Sequence, residues 1–172
     1  MNKALGVINS AAAITYTRAG GAGTAAIAWA DVYGMFARFR GTNPVWIGSQ
    51  TIIPQLAAMV DAGSHAVWIS GAGLGSGAAE RLPGTLMGIP LLFADRAPAL
   101  GSKGDLGIYD LSMYLVKDGS GPFAASSEHI LFLSNKTVFK IVWNVDGHPW
   151  LTEPIPLEGA TTSTVSPFVV LN

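Results

Sequence analysis

A chain of 172 residues without cysteine is most simply one domain, and area scaling lets it bury ~70% of its unfolded surface without disulfide or metal staples. Charged residues make up only 12% of it, against about 25% in an ordinary soluble domain, while apolar residues reach 49% and mean hydropathy is +0.39. A net charge of −1 and a pI near 6.3 exclude a sequence-independent nucleic-acid binder, which needs a basic stripe; Arg38-Phe39-Arg40 is the one dense basic spot.

So little charge calls for a cover other than water. No run approaches the roughly 18 uninterrupted apolar residues of a spanning helix, and Asp31 splits the best attempt, so the expected cover is a protein lattice or another polypeptide rather than a membrane. Lys3, then Ala4 to Ile8 and Ala11 to Ala13, imitates a signal peptide, but the apolar run falls short of the roughly 7 to 15 residues expected, and the chain reads as unsecreted.

In chain order, the short apolar entry Ala4 to Asn9 leads to a strand predicted at Ile14 to Thr17, ended by Gly20-Gly21-Ala22-Gly23. A first helix is predicted over Ala25 to Arg40, with Ala28, Val32, Met35, Phe36 and Phe39 on one buried face, Thr24 as cap and Gly41 as stop. Trp29 and Tyr33 stack one turn apart on a second side, which suggests a helix covered twice. Val45 to Ile47 reads as a strand, and Ile52 to Ala62 as a second helix capped by Thr51, with Pro54 in its first turn and Leu56, Met59 and Val60 facing the core. A strand at Ala66 to Ile69 precedes a loop of small residues, Ser70 to Ala79.

Thr85 to Asp110 reads as two buried strands, Leu91 to Ala94 and Leu106 to Tyr109, with Gly88 and Pro90 shaping the entry to the first. Tyr114 to Lys117 follows, then the turn Asp118 to Gly121 and strands from Phe123 onward. Thr137 to Val145 alternates cleanly, which predicts Phe139, Ile141, Trp143 and Val145 on a buried face and a turn at Asp146-Gly147. Phe168 to Leu171 is the last strand.

The constellations that carry chemistry are weak. Gly73-Leu-Gly75-Ser-Gly77-Ala78, with Asp95 beyond it, matches a dinucleotide-binding pattern, but Pro83-Gly84 leaves about five residues for a crossover helix that needs a dozen or more. His65, His129 and His148 have no second histidine at helical spacing, and neither a nucleophile elbow nor a P-loop is present. Asp95, Asp105 and Asp110 stand at turns and strand ends, where carboxylates accept local backbone N–H bonds. The sequence therefore names no catalytic, cofactor-binding or metal residue.

Several segments in register resemble a known family: Ala4-Leu-Gly-Val-Ile-Asn9, Val45-Trp46-Ile47 before a Leu56-bearing helix, Leu86-Met-Gly-Ile-Pro90, Ala97-Pro-Ala-Leu-Gly101, Gly104-Asp-Leu-Gly-Ile-Tyr-Asp110 and Val145-Asp-Gly147. Together they resemble the major capsid proteins of tailed phages, with the Hong Kong 97 fold. The resemblance implies an α+β plate, with an axial domain near residues 18–110 and a peripheral sheet from 1–17 and 111–172. It also implies a structural subunit of an icosahedral phage or prophage shell, built in the bacterial cytoplasm from pentamers and hexamers of the chain itself. Portal, scaffold or decoration proteins are the further partners it suggests, with no cofactor, no specific nucleic-acid site and no membrane.

A nanocompartment shell protein of the same fold, similar to an encapsulin, is the alternative; a small nucleotide-binding enzyme using Gly73 to Gly77 is a remote one. Family members carry an extended arm, a long hairpin loop and a spine helix before the position of Ala4, so a chain starting at Met1 is expected to lack them and to form monomers or small rings. None of the lysine, asparagine and glutamate that crosslink some family shells maps onto this sequence.

Overall fold

The computed structural model describes residues 4–61, 63–65, 68–69, 84–159 and 163–172. The elements run β1 Ile14–Tyr16, α1 Trp29–Arg38, β2 Val45–Gly48, α2 Ile53–Ala58, β3 Trp68–Ile69, β4 Thr85–Leu86, β5 Ile89–Phe93 and β6 Leu106–Tyr109. They continue with β7 Tyr114–Asp118, β8 Phe123–Ser127, β9 Val138–Val142, β10 Val145–Pro149, β11 Ile155–Pro156, β12 Thr164–Val165 and β13 Phe168–Leu171. Helices and a mixed sheet make the α+β class that the resemblance implies.

Seven strands form one sheet in the order β1-β13-β6-β2-β5-β4-β3. The β1/β13 and β2/β5 pairs are parallel and the others antiparallel. Leu-Gly-Ile-Tyr in β6 and Phe-Val-Val-Leu in β13 are continuous apolar runs, the pattern of strands covered on both faces, and every residue of both is buried. On one face Trp46, Leu91, Leu106, Ile108, Val169 and Leu171 pack with Val32 and Met35 of α1 and with Ile52 and Leu56. On the other, Tyr109, Phe168 and Val170 pack with Ala12, Val7, Ile8 and Leu151. The predicted strands at Ile14, Val45, Leu91, Leu106 and Phe168 are thus all members of one sheet. Met87 (φ +55°) and Gly88 (φ +75°) form the tight turn that pairs Leu86 with Ile89.

Both helices are shorter than predicted. The first starts at Trp29 because Thr24 turns away and donates its hydroxyl to the Gly20 and Gly21 carbonyls. Asp31 organises the start instead, accepting from Ala28 N–H at 2.8 Å and from Ala19 N–H at 2.7 Å. The helix stops at Arg38, since Phe39 is extended and bridges Ser166. Val32 and Met35 are buried as expected, but Phe36 is exposed. Trp29 and Tyr33 meet with ring centroids 5.6 Å apart, and Tyr33 faces outward.

In the second helical segment Ser49, not Thr51, is the cap: its hydroxyl oxygen accepts from Thr51 N–H, and a 3-10 turn over Gln50–Ile52 leads into α2. Pro54 sits in the first turn as expected; Met59 is already extended, and Val60 is exposed rather than in the core. Position 62, Ala66 and the loop Ser70 to Ala79 lie outside the described residues.

The largest correction concerns Thr137 to Val145. It is two strands, β9 and β10, and Asp146-Gly147 is no turn but part of β10, paired with Lys117 and Val116 of β7. Phe139, Ile141 and Trp143 are 78%, 75% and 58% exposed. The alternation is real, but among the described residues nothing covers the apolar side.

Candidate functional site

Residues 111–150 leave the sheet and form two ribbons of their own, β7 with β10 and β8 with β9. Among the described residues, the sharpest concentration of exposed apolar side chains lies here: Val116, Phe123, Ile130, Leu133, Phe139 and Ile141. Clustered exposed apolar side chains mark interaction sites on proteins, so this lobe is a candidate interaction surface.

Its placement begins with Asp110. That residue directly follows β6, is fully buried, and its carboxylate accepts from Thr42 N–H (2.8 Å) and Asn43 N–H (3.2 Å) ahead of β2 and from Ser112 N–H (3.1 Å) in the turn that opens β7. Burial alone pushes this carboxyl up, but the hydrogen bonds from Ser112, Thr42 and Asn43 outweigh it and hold the pKa below the usual range. Tyr114 then donates its hydroxyl to the Leu5 carbonyl (2.8 Å), Leu5 N–H reaches Gly147 (2.8 Å), and Trp150 N–H reaches Met113 (2.8 Å). The β7–β10 ribbon is thereby tied to the entry segment. The β8–β9 ribbon hangs from it, held at its base by Trp143 Nε1 donating to Asp118 at 3.0 Å and by Gly119 N–H to the Asn144 carbonyl at 2.8 Å.

A second anchor crosses the sheet. Arg18 and Asp105 form a buried ion pair at 2.6 Å; Arg18 also donates to the Ala26 carbonyl, and Asp105 accepts from Gly101 N–H at 2.8 Å. Asp105 and Asp110 thus accept local backbone N–H bonds, as the sequence predicts. The ion pair was not legible, because its members are 87 residues apart.

Two of the hollows among the described residues bear on this surface. An apolar groove of about 230 Å³ is lined by Val7, Ile8, Ile47, Tyr109 and Leu111, with Arg96 at its margin. Small-molecule sites combine an apolar lining with several convergent polar groups, and Arg96 alone does not supply them. A polar hollow at the far end of the β8–β9 ribbon is lined by Glu128, Asn135, Lys136 and Thr137.

The residues singled out in the sequence do not converge. Gly73, Gly75 and Gly77 lie outside the described residues, and Asp95 is exposed in a turn. His65 pairs with Asp61 at 3.1 Å, His148 Nδ1 lies 2.8 Å from the Pro149 carbonyl, and His129 is exposed. Among the described residues no helix is long and apolar enough to cross a membrane.

Comparison with known proteins gives the surface its context. The model of the phage capsid family matches residues 1–157. Among solved structures, the chain is similar to the capsid of an empty GTA particle computed with C5 symmetry, at 16% identity and a TM-score of 0.57, over 92% of this chain and 48% of that one. It also matches the capsid of a native GTA particle, at 17% identity and a TM-score of 0.49, over 92% of this chain and 52% of that one. No curated protein matches. The chain spans about half the length of the capsid chains it matches, and the likeness to the first carries the fold alone. With the family model covering most of the sequence and an α+β capsid fold beneath it, the chain belongs to the phage capsid family.

Proposed function

We propose that this chain is a structural subunit of a phage or prophage shell, assembling with copies of itself into pentameric and hexameric capsomers. The observation that carries the reading is the lobe over 111–150, whose apolar side chains face water on a fold of the capsid family. A subunit whose surface is meant for neighbours needs few charges, which accounts for a charged fraction of 12%. The role is structural, not enzymatic. The division into an axial unit near 18–110 and a peripheral unit from 1–17 and 111–172 belongs to this proposal, amended in that β1 and β13 are strands of the central sheet. Portal, scaffold and decoration proteins are its further partners, and the virion capsid its location.

Negative-stain microscopy of the purified chain across a concentration series tests this. Rings with five- or six-fold symmetry are the expected result. A population without ring symmetry at every concentration would overturn the capsomer proposal.

A further inference from the structure

The β8–β9 ribbon has two different faces. In its register Ala124 lies opposite Ile141 and Ser126 opposite Phe139, and strand alternation puts these four side chains on one face. All four are exposed. The one charged residue of the two strands, Lys140, pairs with Ala125 on the other face. The uncharged face is therefore tall along β9, where Phe139 and Ile141 stand, and low along β8, where Ala124 and Ser126 stand. A two-stranded ribbon is marginal in water, and among the described residues nothing covers this face, so it needs a cover.

We propose that the cover is the same face of a second copy of the chain, related by a two-fold axis parallel to the strands. That axis lays β8 of one copy over β9 of the other. Ala124 then meets the partner's Ile141, Ser126 meets the partner's Phe139, and the same contacts repeat in reverse, as an isologous interface requires. Tall side chains fill low positions, which is how faces of stacked sheets interdigitate about 10 Å apart. A two-fold axis across the strands would instead set Phe139 against the partner's Ile141 and leave a gap over β8.

Charge selects the same axis. Glu128 follows β8 and Lys136 precedes β9; both are exposed and both line the polar hollow at the ribbon's end. Rotation about the strand direction carries Glu128 onto the partner's Lys136 and Lys136 onto the partner's Glu128. Rotation about the other axis moves the two ends a ribbon's length apart. Five-residue strands cover much less than the roughly 800 Å² a side of a standard interface, so the contact is weak between two free chains. It gains its strength by repetition in an assembly, the respect in which it rests on the capsid reading.

Sedimentation equilibrium of the full chain up to millimolar concentration, beside the microscopy above, is the test. Ile141→Ser should weaken self-association about tenfold or more. Glu128→Lys or Lys136→Glu alone should weaken it several-fold, and the double charge swap should restore it. All three positions are exposed, so circular dichroism should give unchanged melting temperatures. Single reversals without effect, or a double swap no better than either single, would overturn the contact. Rings that form with association indifferent to the reversals keep the capsomer reading and remove the ribbon contact; pairs that respond to the reversals without rings do the opposite.

Discussion

Asp110 shows how much one carboxylate can carry in a chain with few charges. Its buried carboxylate accepts from backbone N–H groups of two segments, and a hydrogen bond to a charged group contributes about 1.5 to 3 kcal/mol. Asp110→Ala should therefore lower stability by about 3 kcal/mol at pH 7 in urea melts. Because the folded pKa is depressed, this stabilisation is full above the unfolded value near ~4 and disappears as pH falls through the folded one. Wild type and Asp110→Asn should accordingly converge in stability as the pH is lowered toward 2, and a gap that stays constant with pH would show the charge to be irrelevant. Two tryptophans make the complementary point. Trp46 is fully buried in β2, and Trp46→Ala should cost about 3 to 5 kcal/mol. Trp143 is exposed with a single hydrogen bond to Asp118, so Trp143→Ala should cost no more than about 1 kcal/mol in the same urea melts. The alternating pattern around Trp143 predicts the larger cost. Period tells which residues share a face, but not whether a body lies over it.

At the scale of elements, legibility followed burial. The runs Leu106–Tyr109 and Phe168–Leu171 were readable to the residue because strands covered on both faces have no polar positions to confuse them. Within the ribbons β7 and β8 stand where the sequence places them, but the passage from β9 to β10 does not: an Asp-Gly pair signals a turn, yet at Asp146-Gly147 the cross-strand partners Lys117 and Val116 hold it extended. The helix ends were lost to competing caps, Asp31 over Thr24 and Ser49 over Thr51, a choice that depends on which side chain the tertiary fold leaves free. β6 also carries a testable detail. The Tyr109 ring lies over Gly107, where a Cβ would fall on it, and burial chiefly, then the Asp105 charge, pushes the phenol far above its usual pKa. The folded chain thus holds the neutral phenol: stability is full below about pH 10 and falls by about 1.4 kcal/mol per pH unit as pH rises beyond it. Urea midpoints at pH 9 and 11 should show this loss in wild type and not in Tyr109→Phe; equal losses in both would remove Tyr109 as the cause.

The whole molecule divides into a sheet covered on both faces and a lobe that touches it through the entry segment and a few backbone bonds. Local stability follows packed apolar area, so native-state hydrogen exchange should find β6 and β13 opening only with global unfolding. The amides of β8 and β9 should exchange orders of magnitude faster in the free chain; protection equal to that of β6 would mean the lobe is already covered within one copy. The order of the sheet has a further effect, on how the chain reaches this state. Among the described residues β1 has β13 as its one partner, and β13 in turn closes an edge of β6. Until residue 171 is available, β1 waits without this partner and the fully buried β6 shows a bare edge. Such distant pairing makes folding slow and leaves the growing chain open to aggregation. It also means that a chain interrupted before Phe168 cannot complete the sheet from which the lobe is hung, so synthesis past that point becomes a condition for presenting any surface to a neighbour.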